Sequence, residues 1–300
     1  MSELHPQSEL FRGLITHDLQ TGHLVCASTG ARVQSLLTSQ EIERISQRVS
    51  AAEPFISDDT LSRVPNQPVV LHALNGALNK TGPFLRMMEK GLTEEGDDYL
   101  MMHSINYIGA LMRLTHAAAE ARPVEAYEME FLLSSIDPLH LPVTGPDGRP
   151  VELAGDLDSE LAFHLFECVI NASYWNARSI VVTQGELAVS TDGLDRPGSE
   201  YRYKTYSITD NGDGMLPEQI PANVQAGYTR RKTGTGSGLA FLRQYALDHG
   251  GILRISSRHK SQPVSDPRTV YTMSTYVPVS KGYEPSSTHG TEVTIALPVE

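Results

Sequence analysis

Glu167 and Asn171 lie four residues apart in an apolar helical pattern, so a carboxylate and an amide project from one face of that helix. A carboxylate so placed can orient or deprotonate a water or another nucleophile. An amide oxygen suits Mg²⁺, which is often held by few protein atoms together with phosphates and waters. Further along, Thr209-Asp210-Asn211-Gly212-Asp213-Gly214 ends an apolar strand pattern in a carboxylate and two glycines. Asp210 can accept a hydrogen bond from an exocyclic amine such as adenine N6. Gly212 and Gly214 let the backbone come close to a flat ligand. A third cluster, Gly234-Thr235-Gly236-Ser237-Gly238-Leu239, precedes another helical pattern. Backbone N–H groups in such a loop bind anionic oxygens, and a helix N-terminus behind it favours the same charge. The only compact basic run, Arg230-Arg231-Lys232, stands beside this loop, in reach of a nucleotide's phosphates.

Each cluster alone has an ordinary explanation: a solvated helix edge, an Asn-Gly or Asp-Gly turn, a flexible glycine loop. In this order they describe a nucleotide pocket under a mobile lid. Leu239 stands where a Walker A loop would carry lysine, so the P-loop reading fails. No strand leads into the loop within a βαβ unit, which weakens the dinucleotide reading as well.

The elements that must position these residues follow from the apolar periods. A proline- and glycine-rich stretch at 138–150 separates two regions. Beyond it the pattern predicts a short strand at 151–153, a helix over 158–174 capped by Asp158 or Ser159, and strands at 179–182, 187–190 and 201–209. A helix over 238–249 stops at Gly250-Gly251, and strands at 252–256 and 292–297 follow. Residues 259–289 form a long hairpin or loop insertion between those last two strands. The sum is an α+β chain whose C-terminal part is an α/β sandwich, a mixed sheet covered by helices.

Before the boundary the pattern is helical. A helix over about 96–121 and a shorter one over 124–136 meet at Arg122-Pro123, which predicts an antiparallel helical hairpin. Met101, Ile105, Ile108 and Met112 share one face, and Leu100, Tyr107, Leu111 and Leu114 make a second stripe. A helix apolar on two sides needs more than one partner, and two copies of the hairpin would supply a four-helix bundle. The expected domains are residues 1–66, to which no chemistry is assigned apart from a strand near 24–27 and a helix near 39–49, then 67–137, a linker at 138–150, and 151–300.

Composition bounds the rest. The 300 residues are 40% hydrophobic and 20% charged, the figures of a folded protein. A formal net charge of -12 opposes binding to nucleic acid or anionic membranes. Two cysteines, Cys26 and Cys168, with no CxxC or Cys/His spacing, exclude a disulfide framework or a structural zinc site. The amino terminus lacks a basic segment followed by an apolar run, and no apolar stretch reaches the roughly 20 residues that span a bilayer. A cytoplasmic protein without membrane insertion is expected.

The clusters, taken as a set, resemble the GHKL (Bergerat-fold) ATP-binding family over residues 150–300. Phe166-Glu167-Cys168-Val169-Ile170-Asn171-Ala172 resembles its N box, and Asp210-Asn211-Gly212-Asp213-Gly214-Met215 its G1 box. Gly227 to Lys232, with Gly234 to Leu239, resembles the lid and G2 box. His249-Gly250-Gly251 and Gly290 to Pro298 resemble the end of a histidine kinase ATPase domain. The resemblance implies ATP and Mg²⁺ as cofactors, with Asn171 on the metal, Asp210 reading adenine and Thr291 helping to hold it. It implies phosphates on the backbone of Gly234, Thr235, Gly236, Ser237 and Gly238 up to Leu239, assisted by Arg230, Arg231 or Lys232. Ser173-Tyr174-Trp175-Asn176 departs from the family, which often has a basic residue soon after the Asn-Ala pair.

The helical hairpin stands where a two-component histidine kinase has its dimerisation and phosphotransfer domain. Met102-His103-Ser104-Ile105-Asn106 resembles a divergent H box, which implies His103 as phosphoacceptor, homodimerisation through the hairpin, and a response-regulator receiver domain as partner. Ser104 replaces the acidic residue usual after the histidine, so Glu167 is the substitute base, and His116 is the rival acceptor. Two alternatives stand beside the kinase: an ATP-binding module without autokinase activity, and a GHKL ATPase that uses Glu167 to activate water.

Overall fold

The computed structural model describes residues 15–17, 24–26, 58–64, 67, 70, 110–134, 143–190, 200–225, 238–274 and 280–299. Two units are distinguished, residues 1–123 and 124–300. In the first, strands β1 (Ile15–His17) and β2 (Leu24–Cys26) pair antiparallel, and α1 is a short helix, Asp58–Ser62. Residues 110–119 are helical, with Leu111 and Leu114 buried, and the chain turns at Ala121, whose φ is 49°. That helix is the later part of the one expected over 96–121. Its earlier part, with Met101, His103, Ile105 and Ile108, lies outside the described residues, as does the helix expected at 39–49.

The second unit is built on one long helix. Asp158 accepts hydrogen bonds on Oδ1 from the N–H groups of Glu160 (2.9 Å) and Leu161 (3.1 Å), which satisfies two of the donors a helix start leaves open. Such a cap is worth about 1 kcal/mol. The helix, Ser159–Tyr174, follows a shorter one, Ala126–Ser134; these are α3 and α2. From Ser159 to Ile170 every residue of α3 except Glu160 is buried. The helix ends at Asn176 in the left-handed region, φ 60°, a conformation asparagine tolerates better than most residues.

α3 packs against a seven-stranded sheet. Its strands are β3 (Val143–Thr144), β4 (Ile180–Ser190), β5 (Glu200–Asp210), β6 (Ile252–Arg258), β7 (Arg268–Ser274), β8 (Ser280–Glu284) and β9 (Gly290–Pro298), in the order β3-β4-β5-β9-β6-β7-β8. Only β3 and β4 pair parallel, so the sheet is mixed, as expected. Two more helices complete the unit, α4 (Gln219–Asn223) and α5 (Gly238–Asp248). α2 packs on α3 and β3, α3 on β5 and α5, and α5 on β6, β7 and β9. Strand alternation sorts the residues: Val182, Tyr206, Ile208, Leu253, Ile255, Met273 and Ile295 are buried on one face, while Ser207 and Thr294 hydrogen-bond across the other at 2.8 Å.

Two local expectations change. The two strands expected at 179–182 and 187–190 are one, because the polar residues Thr183 to Glu186 continue the ladder with β5 without a break. Residues 151–153 are not a strand. Val151 and Leu153 are buried in strand-like alternation, but the Leu153 N–H is satisfied by Glu130 Oε1 at 2.7 Å rather than by a neighbouring strand. The insertion at 259–289 does hold a hairpin, as expected: β7 and β8 pair antiparallel and widen the sheet beyond β6.

Candidate functional site

Asp210 is the last residue of β5, beside the first residues of β9. Its Oδ1 accepts two backbone hydrogen bonds, from Gly212 (2.7 Å) and from Thr291 (3.3 Å). Both bonds fall on the same oxygen, which leaves Oδ2 to receive a donor from a ligand. Burial pushes the Asp210 carboxyl up to about 6, against the pull of those two N–H groups and of Arg268. A buried carboxylate with one oxygen open fits a ligand that carries an amine.

The backbone around Asp210 is close-packed. Gly290 has φ 109°, and a Cβ there would lie 2.1 Å from the Asp210 carbonyl oxygen. Gly214, at φ 68°, passes as closely over the carbonyl oxygen of Arg258. Both positions need glycine for conformation and for space at once. Ser257 Oγ stands between the segments, 2.9 Å from Thr291 Oγ1 and accepting the Met215 N–H at 2.8 Å. Asn211 Oδ1 accepts the N–H groups of Arg178 (2.8 Å) and Ser179 (3.0 Å), fixing the start of β4.

Glu167 is buried on α3 rather than on a solvated edge, and its charge adds to the burial that pushes the Cys168 thiol up to about 12. At that value the thiol is inert and Cys168 is a core residue, as expected. One turn on, Asn171 is half-buried, and its amide nitrogen would lie 3.3 Å from a Cβ at Gly238, the first residue of α5. Asn171 therefore adjoins the first residue of α5. α5 ends as expected, with the N–H groups of Gly250 and Gly251 bonded to the carbonyls of Leu247 and Ala246.

Of the residues singled out from sequence, the structure places Glu167, Asn171, Asp210, Gly212, Gly214, Gly238, Leu239 and Thr291 within one unit. Arg230, Arg231, Lys232, Gly234, Thr235, Gly236, Ser237 and His103 lie outside the described residues. His116 is exposed on the helical residues 110–119 of the other unit. Sequence reasoning gave no role in the site to Ser257, Gly290, Asn176 or Lys260. Gly290 carried a signal, since a glycine opening a strand asks for a reason; the other three matter through contacts distant in sequence.

The profile of the family described as Histidine kinase-, DNA gyrase B-, and HSP90-like ATPase matches residues 162–300. Residues 162–300 are a domain of that family. The ATPase-family domain thus starts inside α3 and takes in every strand from β4 to β9. The sensor histidine kinase ZraS of Salmonella typhimurium is 31% identical over 86 residues, 28% of this chain and 17% of ZraS. The sensory histidine kinase/phosphatase NtrB of Azospirillum brasilense is 32% identical over 99 residues, 30% of this chain and 23% of NtrB. The chain thus matches less than a quarter of the length of these curated relatives. A solved mycobacterial sensor histidine kinase, MprB, aligns at a TM-score of 0.37 and 20% identity, covering 59% of this chain and 97% of that one. Among the described residues no helix is long and apolar enough to cross a membrane.

Proposed function

We propose that the chain is an ATP-dependent histidine kinase of a two-component relay, and that the carboxylate of Asp210, with Oδ2 open, is the group that selects adenine. Adenine N6–H would donate to Asp210 Oδ2, with Thr291 beside it. Phosphates would lie at the start of α5, where helix N–H groups favour anions. Among the described residues no group of three His, Cys, Asp or Glu is arranged to hold a metal ion. Mg²⁺ would therefore take the Asn171 amide oxygen together with phosphate oxygens and water. Bound there, it would neutralise charge on the phosphates during transfer.

The acceptor is His103. The lone pair of a neutral imidazole nitrogen forms a bond to the γ-phosphorus while the bond to the bridging oxygen breaks, and ADP leaves with that electron pair. The proton on the other ring nitrogen goes to a base, the role assigned to Glu167. A carboxylate of a response-regulator receiver domain then takes the phosphoryl group, and the helical hairpin makes the homodimer. On this reading residues 67–137 would serve dimerisation and phosphotransfer, and residues 151–300 would bind ATP. The names of ZraS and NtrB support a kinase over an unrelated ATPase.

Incubation with γ-labelled ATP tests the reading. Acid-labile, base-stable label on the protein, lost in His103→Ala, is the expected result. Label that survives that change and is lost in His116→Ala moves the acceptor to His116. Phosphate release with no protein label overturns the kinase in favour of an ATPase. ATP binding with neither leaves a binding module.

A further inference from the structure

The insertion between β6 and β9 starts and ends at the candidate nucleotide site. At its return, Gly290 and Thr291 meet Asp210. At its departure, Lys260 donates its backbone N–H to the Asp213 carbonyl oxygen at 2.8 Å and brings Nζ to 2.9 Å from Asp213 Oδ1. Asp213 is held from the other side too. Its Oδ2 accepts from Asn176 Nδ2 at 3.0 Å, and its N–H donates to the Trp175 carbonyl at 2.7 Å. Partial burial pushes the Asp213 carboxyl up, but the bonds from Lys260 and Asn176 and the charges of Lys260 and His259 outweigh it and hold the group below its ordinary value. One residue of the G1 loop is thus tied to the end of α3 and to the start of the insertion.

We propose that Lys260 is a positioning residue of the nucleotide site, fixing Asp213 and through it the backbone from Gly212 to Gly214 that orients Asp210. The inference rests on the nucleotide reading above. Lys260 acts at one remove: the loop it anchors carries the Gly212 N–H that bonds Asp210 Oδ1, and the Met215 N–H that bonds Ser257. If the loop shifts, the donor on Oδ1 goes with it and the carboxylate loses its aim. Trp175 and Asn176, just past the end of α3, hold this loop from one side. The insertion supplies the opposing anchor.

The test uses the full chain with Lys260→Ala, Lys260→Glu and Lys260→Arg. Mg·ADP affinity is read by titration calorimetry, and the nucleotide-free loop by hydrogen–deuterium exchange of peptides spanning 211–216. Because the Lys260 side chain is 58% exposed, neutralisation in Lys260→Ala should weaken binding only about two- to fivefold. Lys260→Glu sets two carboxylates against each other and should cost roughly tenfold, with faster exchange in the loop. Lys260→Arg should restore both readouts. Unchanged affinity and exchange in Lys260→Glu would overturn the proposal, as would an arginine variant as impaired as the glutamate one. Should Lys260→Glu not fold, Lys260→Ala must still show the smaller shift in both readouts. Faster exchange in a chain whose wild type binds no ADP would overturn the nucleotide reading and leave the anchoring of the loop in place.

Discussion

Asp210 carries two opposed demands. Reading an amine asks for an ionised carboxylate with an open oxygen, and burial resists that charge, so the carboxyl sits up near 6 rather than at its ordinary 3.8. Between those two values the folded chain binds the proton more tightly than the unfolded one. Stability therefore falls as pH rises through that window and stays at the lower level above it. Asp210→Asn keeps the shape and removes the charge. Above pH 6 it should melt a few degrees higher than wild type, and thermal melts from pH 4 to 8 should lose the slope this group contributes. The same substitution turns an acceptor into an NH₂ facing the adenine amine, so ATP affinity should fall about 10- to 100-fold at pH 7.5. Wild-type affinity should itself weaken as pH drops through about 6, where the carboxylate protonates. A variant that melts no higher at pH 8 and still binds ATP as wild type does would remove Asp210 from the site.

At the level of elements, β9 does more than close the sheet. Its first residue, Gly290, sits under the Asp210 carbonyl, and its second donates to Asp210 Oδ1. Gly290→Ala must adopt φ near 109°, which costs about 1–3 kcal/mol in strain alone, and must push Asp210 away as well. Denaturant unfolding should show at least that loss, and ADP binding should fall further than the lost stability explains. This dependence was only partly legible in the sequence. The helices α3 and α5 were legible because a cap, an apolar stripe and a terminal Gly pair are local signals. β4 was read as two strands because Thr183 to Glu186 break the apolar pattern, while the ladder to β5 depends on backbone groups and ignores it. Residues 151–153 misled in the opposite direction: buried alternating side chains imitate a strand, yet the backbone there bonds a glutamate side chain.

The order of the whole sheet was not legible, since nothing local to residues 290–298 says that the last strand lies between β5 and β6. The same holds for Arg258, which the sequence presents as one more basic residue at a strand end. It is fully buried, and its guanidinium donates to the carbonyl oxygens of Val264, Asp266, Ser286 and Thr288, on both limbs of the insertion. Beside it Arg268, held below its usual range by burial despite the pull of Glu292, Glu284 and Asp210, donates to Thr288 and His289. Arg254 pairs with Glu284 in the insertion and with Glu292 on β9, on a half-buried face. Arg258→Met fills the space and leaves four carbonyls without their donor, a loss of about 3 kcal/mol or more. Arg254→Met should cost about 1 kcal/mol. Limited proteolysis should cut Arg258→Met first within 259–289, before the rest of the 124–300 unit yields. The arginine side chain reaches the insertion while its carbonyl lies against Gly214 in the G1 loop. Loosening the insertion should therefore weaken Mg·ADP binding in Arg258→Met through Lys260 and Thr291, which calorimetry on the folded variant would measure. Affinity equal to wild type in a chain whose insertion is already cut would show that the widened sheet and the pocket are independent.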